Sequence, residues 1–167
     1  HAFCGMGGAR TSCESSYIFQ KFVREAMDSP HVDNCARVCH SPSLKGMRTT
    51  IGEGAATNPF DDIYKTENIV VMGSNTTEAH PIVANRMIKA ARDKTATLTV
   101  IDVRQTQLSK FGDQLIIPYE ANLLVLNMMA YVILSEKLYN KEFIDSRCTG
   151  FEEYKDLILN DPYANPE

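Results

Sequence analysis

The sequence predicts an α/β domain: an open, mostly parallel sheet with flanking helices, of the Rossmann-like dinucleotide-binding kind. Three observations carry this. Asn68–Met72 and residues 97–101 are short apolar runs bounded by polar residues, the pattern of parallel strands buried on both faces. Between them Ile82, Val83, Met87 and Ala90 recur at helical spacing, in a helix entered at His80-Pro81. A shorter third run at 114–117 leads into an apolar helix over 120–137, expected to be well buried because it is apolar on several faces. Strand, helix, strand, short strand and helix form the α/β pattern. Right-handed crossovers then place the loops after Met72 and Ile101 on one sheet edge, the carboxyl edge where such sheets bind ligands.

The remaining elements follow in order. The opening 1–11 is Gly-rich and reads as a flexible end or as a loop where backbone approaches a ligand. An amphipathic helix spans about 14–28, with Ile18, Phe19, Phe22, Val23, Ala26 and Met27 expected in the core, and Ser29-Pro30 ending it. A short helix from Pro42 follows, with Ser41 as its cap, and Gly52-Glu53-Gly54 breaks the chain. Asn58-Pro59 opens another short helix, with Asp61 and Asp62 suited to its dipole. Lys141–Arg147 and Phe151–Leu159 read as two final short helices. One domain is expected over 1–167: an active-site segment and helices over 1–60, nucleotide-binding βα units over 61–137, and short helices over 138–167.

Composition bounds the function. The chain has 167 residues, 44% of them hydrophobic, enough for one domain with a core. The net charge of −4 is spread along the chain, so nothing points to nucleic acid. No apolar run reaches the roughly 18–20 residues of a membrane span. The chain opens on His1 and stops in a turn-rich string, and reads as a piece of a larger protein. Five cysteines are an odd number in a chain that needs no disulfide staples, so reduced thiols or metal ligands are expected. Cys4, Cys13, Cys35 and Cys39 match no common zinc or iron–sulfur spacing.

Two places carry chemistry. Residues 35–43 pack two thiols, a histidine, an arginine and two serines ahead of a helix start. Cys39 and His40 sit where helix N–H groups favour a thiolate. Taken alone, Cys39 reads equally as a small buried apolar residue. The second place is the sheet edge. Gly73, Ser74, Asn75, Thr76 and Glu78 lie in a loop whose backbone N–H groups and hydroxyls, ahead of a helix, suit phosphate. Asp102 is spaced like an acid that takes ribose hydroxyls, and Arg104 follows as a base or phosphate contact. The plainer reading keeps 74–77 as a helix cap, Asp102 as a turn residue and His80 as a helix-start contact. Neither a G-x-G-x-x-G nor a P-loop is present, so an ordinary NAD or ATP site is unsupported.

Residues 32–43, ending in Cys39-His40-Ser41-Pro42-Ser43, closely resemble the active-site segment of molybdenum- or tungsten-dependent formate dehydrogenases. These belong to the dimethyl-sulfoxide-reductase superfamily of molybdopterin oxidoreductases. The likeness continues through 52–58, 73–81, 101–104 and 150–154, and upstream through Ala9-Arg10 and 17–22.

The resemblance implies that Cys39 is the metal ligand, beside two pterin dithiolenes, and that His40 assists proton transfer as formate becomes carbon dioxide. It implies that 73–78 and Asp102, with Arg104, hold one guanosine arm of a bis-molybdopterin guanine dinucleotide, and that Arg10 approaches the pterin. It also implies a [4Fe–4S] cluster upstream, the remaining domains of the same subunit, and an electron-transfer iron–sulfur subunit as partner. The resemblance is compatible with molybdenum or tungsten and with a cytoplasmic or periplasmic compartment. Val103 stands where the family often has proline. Cluster cysteines, a formate-orienting arginine and the second pterin-binding regions are not in the sequence, so the isolated chain is expected to be inactive. Two alternatives are a nitrate- or polysulfide-reductase-like enzyme and a non-catalytic nucleotide-binding module.

Overall fold

The computed structural model describes residues 3–166. His1, Ala2 and Glu167, on which the reading of the two ends partly rests, lie outside the described residues. The chain divides into two compact units, His1–Pro59 and Phe60–Glu167.

In the first unit, β1 (Gly5–Gly7) pairs in parallel with β2 (Val32–Asn34). Within the Gly-rich opening, Gly5–Gly7 is therefore a strand. Its first glycine serves packing: a Cβ on Gly5 would lie 2.5 Å from Val23 Cγ2. Between the strands runs α1 (Cys13–Lys21), continued by a π-helical turn over Phe22–Ala26. Ser12 caps α1, its side chain accepting from the Ser15 N–H at 3.2 Å. The expected core face of this helix is largely bare. Val23 is fully buried, but Ile18 and Phe22 are exposed. After β2, α2 (Ala36–Cys39) makes one turn and α3 (Ser41–Ile51) follows, ending at Gly52.

The second unit opens with a 3-10 turn, Phe60–Tyr64, bearing Asp61 and Asp62. Its sheet has strand order β3 (Asn68–Met72), β4 (Thr97–Asp102), β5 (Asp113–Ile116), all parallel. The short α4 (Thr76–Ala79) and then α5 (Pro81–Arg92) cross from β3 to β4. A 3-10 turn, Leu108–Phe111, leads into β5. Alternate residues Ile69, Val71, Leu98 and Val100 form one sheet face, clustered with Ala90, Ala96 and Leu108. β3 is buried on one face only: Val70, on the other face, is 55% exposed. It is an edge strand, and its apolar run is longer than this cover requires.

The last part holds α6 (Asn122–Ser135), α7 (Lys141–Arg147) and α8 (Phe151–Leu159). Leu134, Ile158 and Ala164 form a second small core. Contrary to the sequence expectation, α6 is not well buried; Leu134 is its one buried residue. Periodicity says which residues share a face, not what covers it.

Candidate active site

The Cys39 region is built on the carboxyl ends of β1 and β2. The Cys35 N–H donates to the Gly7 carbonyl at 3.1 Å, and the Ala9 N–H reaches Cys35 Sγ at 3.3 Å. Cys35 is thus a half-buried structural thiol. Asn34 Oδ1 accepts from the Ala36 N–H at 2.9 Å and starts α2. Arg37 pairs with Asp33, one helical turn back. That guanidinium, helped by the Asn34 N–H, holds the Asp33 carboxyl below its usual value. The same pairing raises Arg37.

His40 leaves helical geometry (φ −124°, ψ −18°) and separates α2 from α3. Its carbonyl accepts the Leu44 N–H at 2.8 Å, so His40 occupies the capping position of α3. Ser41, expected as the cap, is instead the first helical residue, and its hydroxyl donates to the Ala36 carbonyl at 3.0 Å. Pro42 sits in the first turn. Cys39 and His40 are both exposed, and Cys39 is a free thiol. The reading of Cys39 as a buried apolar residue therefore fails within this chain. Arg10 is exposed just after β1. A cavity of about 500 Å³ near it is lined by Gly8, Thr11, Ser15, Gln20, Arg24 and Asn34 among others, but not by Arg10, Cys39 or His40.

In the second unit the strand tips meet as the topology requires. The Gly73 N–H donates to the Ile101 carbonyl at 2.9 Å, tying the β3 tip to β4. Ser74 and Thr76 hydroxyls lie 3.0 Å apart, and the Thr77 hydroxyl donates to Asn75 Oδ1 at 3.3 Å. Asp102 is buried, and its Oδ1 accepts the Arg104 N–H at 3.2 Å. A cavity of about 230 Å³ opens at this edge, lined by Asn75, Glu78, Arg104, Gln105, Thr106, Gln107 and Lys110.

The fold thus brings together three of the sequence candidates, Asn75, Glu78 and Arg104. Gly73, Ser74, Thr76 and Asp102 shape the loops behind them and are not among the lining residues. Sequence reasoning missed Gln105, Thr106, Gln107 and Lys110. The signal was a polar run directly after the β4 tip. Thr106 is 6% exposed, and its buried Oγ1 has no partner within the protein. A buried hydroxyl without a partner is costly, and a bound polar group would relieve it. Arg104 and Lys110 are the cations of the lining, suited to an anionic ligand.

Among the described residues no three His, Cys, Asp or Glu side chains gather to hold a metal. A metal bound here would need most of its ligands from elsewhere, with Cys39 as one soft donor.

The first unit thus carries a free Cys-His turn, and the second is a parallel α/β unit with an anion-suited cavity at its sheet edge. The chain belongs to the molybdopterin oxidoreductase family, which matches residues 2–159. It is 43% identical over 152 residues to the alpha subunit of an F420-dependent formate dehydrogenase of Methanocaldococcus jannaschii, covering 90% of this chain and 22% of that protein. It is 40% identical over 149 residues to formate dehydrogenase H of Escherichia coli, covering 89% and 21%. Among solved structures it resembles acetylene hydratase from Pelobacter acetylenicus, with TM-score 0.64 and 25% identity, covering 92% of this chain and 21% of that one. The chain spans about a fifth of the length of each of these proteins.

Proposed function

We propose that this chain is the part of a formate dehydrogenase catalytic subunit that carries the metal-ligating thiolate and holds one nucleotide arm of the cofactor. The observation that carries the reading is the free, exposed Cys39 followed by His40 at the junction of α2 and α3. The two relatives named as formate dehydrogenases support the substrate. Fold alone does not, because the structural neighbour named as a hydratase shares it.

In this reading the cofactor is molybdenum or tungsten with bis-molybdopterin guanine dinucleotide. When bound, it supplies the acceptor for the two electrons released as formate becomes carbon dioxide and a proton. The chain's own residues do the rest. Cys39 offers one sulfur to the metal. His40, its neighbour, takes the proton released in the reaction. Arg104 and Lys110 neutralise the cofactor's phosphates, and Thr106 Oγ1 gains a partner. Asn75 and Glu78 face the same ligand, while Asp102 positions Arg104 through its N–H. Arg10 contacts the pterin. A [4Fe–4S] cluster and an iron–sulfur partner subunit, both outside this chain, would accept the electrons.

The test uses the full-length subunit. Cys39→Ala abolishes formate oxidation and leaves the melting temperature unchanged. X-ray absorption at the metal edge then counts one fewer sulfur. An unchanged sulfur count removes Cys39 from the metal.

A further inference from the structure

α6 is apolar all round, with no charged residue in Asn122–Ser135, yet only one of its sides is packed. That side is marked by Leu134, which meets Ile158 and Ala164, and by Asn127, whose Nδ2 donates to Asp161 at 3.2 Å. On an adjoining side Leu126, Met129 and Ile133 follow helical spacing and are 50%, 40% and 41% exposed. A helix of this composition belongs in an interior.

From this we infer that the Leu126–Met129–Ile133 face of α6 is an internal packing surface, covered by an apolar segment of the same subunit that lies outside residues 1–167. Two observations choose this occupant. The chain spans only 21–22% of the length of its formate dehydrogenase relatives, so a subunit of their size has ample chain to cover it. The face also lacks the character of a separable interface. Non-obligate interfaces are about as polar as ordinary surface, whereas α6 is as apolar as a core. The inference is independent of the formate assignment.

Hydroxyl-radical footprinting of the wild-type full-length subunit tests it, read at Met129. In the free folded subunit Met129 oxidises at least about tenfold more slowly than in the urea-unfolded chain, since oxidation follows exposure. Equal rates overturn the inference. Protection that appears only when the iron–sulfur subunit is added assigns the face to that partner and also overturns it. Protection that appears only at high protein concentration assigns it to a second copy, with the same result. As a second reading, Leu126→Asp lowers the melting temperature of the full-length subunit by several degrees or prevents folding. An unchanged melting temperature counts against burial of the face.

Discussion

In the unit Phe60–Glu167, Ile69, Val71, Leu98 and Val100 close with Ala90 and Leu108 into a core. In His1–Pro59, Val23 is the one buried apolar side chain among the described residues, while Tyr17, Ile18, Phe22, Val38 and Ile51 stand exposed. The first unit is held instead by the β1–β2 pairing and by polar links, three of them local (Ser12 to Ser15, Asn34 to Ala36, Asp33 to Arg37) and one long-range (Ala9 to Cys35). The contrast separates two jobs. The unit with the core positions a cavity on a rigid sheet edge. The unit without one presents Cys39 and His40 on a tight turn whose geometry is local. Changes at the Cys39-His40 turn should therefore strike chemistry, and changes in the core of the second unit should strike stability.

The sharpest way to break this division is His40→Ala in the full-length enzyme. Turnover falls by about 100- to 10,000-fold, the range for a proton-transfer residue. The melting temperature holds, because the side chain is exposed and its capping role is played by backbone. A stability loss matching the rate loss would make His40 structural.

Leu98→Ala is the counterpart in the second unit. It empties a site 2% exposed and costs about 2–5 kcal/mol. Denaturant unfolding measures it. Val23→Ala in the first unit costs less, about 0.5–3 kcal/mol, and shows as faster hydrogen exchange at β1 and β2 without loss of the sheet. Equal global destabilisation by the two variants would erase the distinction between the units.

Lys110→Ala comes next. It removes one charge-assisted contact to the proposed phosphates, about 1.5–3 kcal/mol of binding. Cofactor retention after gel filtration reports it, and the loss shrinks at high salt. Retention equal to wild type takes Lys110 out of the site.

The smallest effect is at Asp33. Its carboxyl is held below the usual value, first by Arg37 and then by the Asn34 N–H. A carboxyl lowered in the folded state stabilises above its ordinary pKa, and that contribution is lost as pH falls through the lowered value. A carboxyl-detected NMR titration should find the Asp33 midpoint below that of an unpaired aspartate, and Arg37→Ala should raise it toward that value, with the Asn34 N–H still holding part of the lowering. An ordinary midpoint in the wild type would leave the α2 turn without this anchor.

Much of the framework was legible from pattern. β3, β4, α7 and α8 stand where apolar runs and breakers place them, since neighbour-to-neighbour preferences settle them. β1 was not legible: Gly5-Met6-Gly7 has no side-chain alternation to show a strand, and its pairing partner lies 27 residues away, Gly5 opposite Val32. The lining of the sheet-edge cavity was read in part. Glu78 and Arg104 follow from the loop positions, but Thr106 and Lys110 enter because the 3-10 turn at Leu108–Phe111 folds the loop back.

The sequence by itself determined the order of strands and helices from β3 onward, the carboxyl-edge placement of the polar loops, and the Cys39-His40 turn ahead of a proline-led helix. Each depends on residues a few positions apart. Only the tertiary structure decided which polar groups line the cavity, that Asp102 orders the Arg104 loop from behind, and that the apolar sides of α1 and α6 stand bare. Those outcomes depend on which surfaces meet, and a one-dimensional pattern of apolar residues carries no record of the partner that covers them.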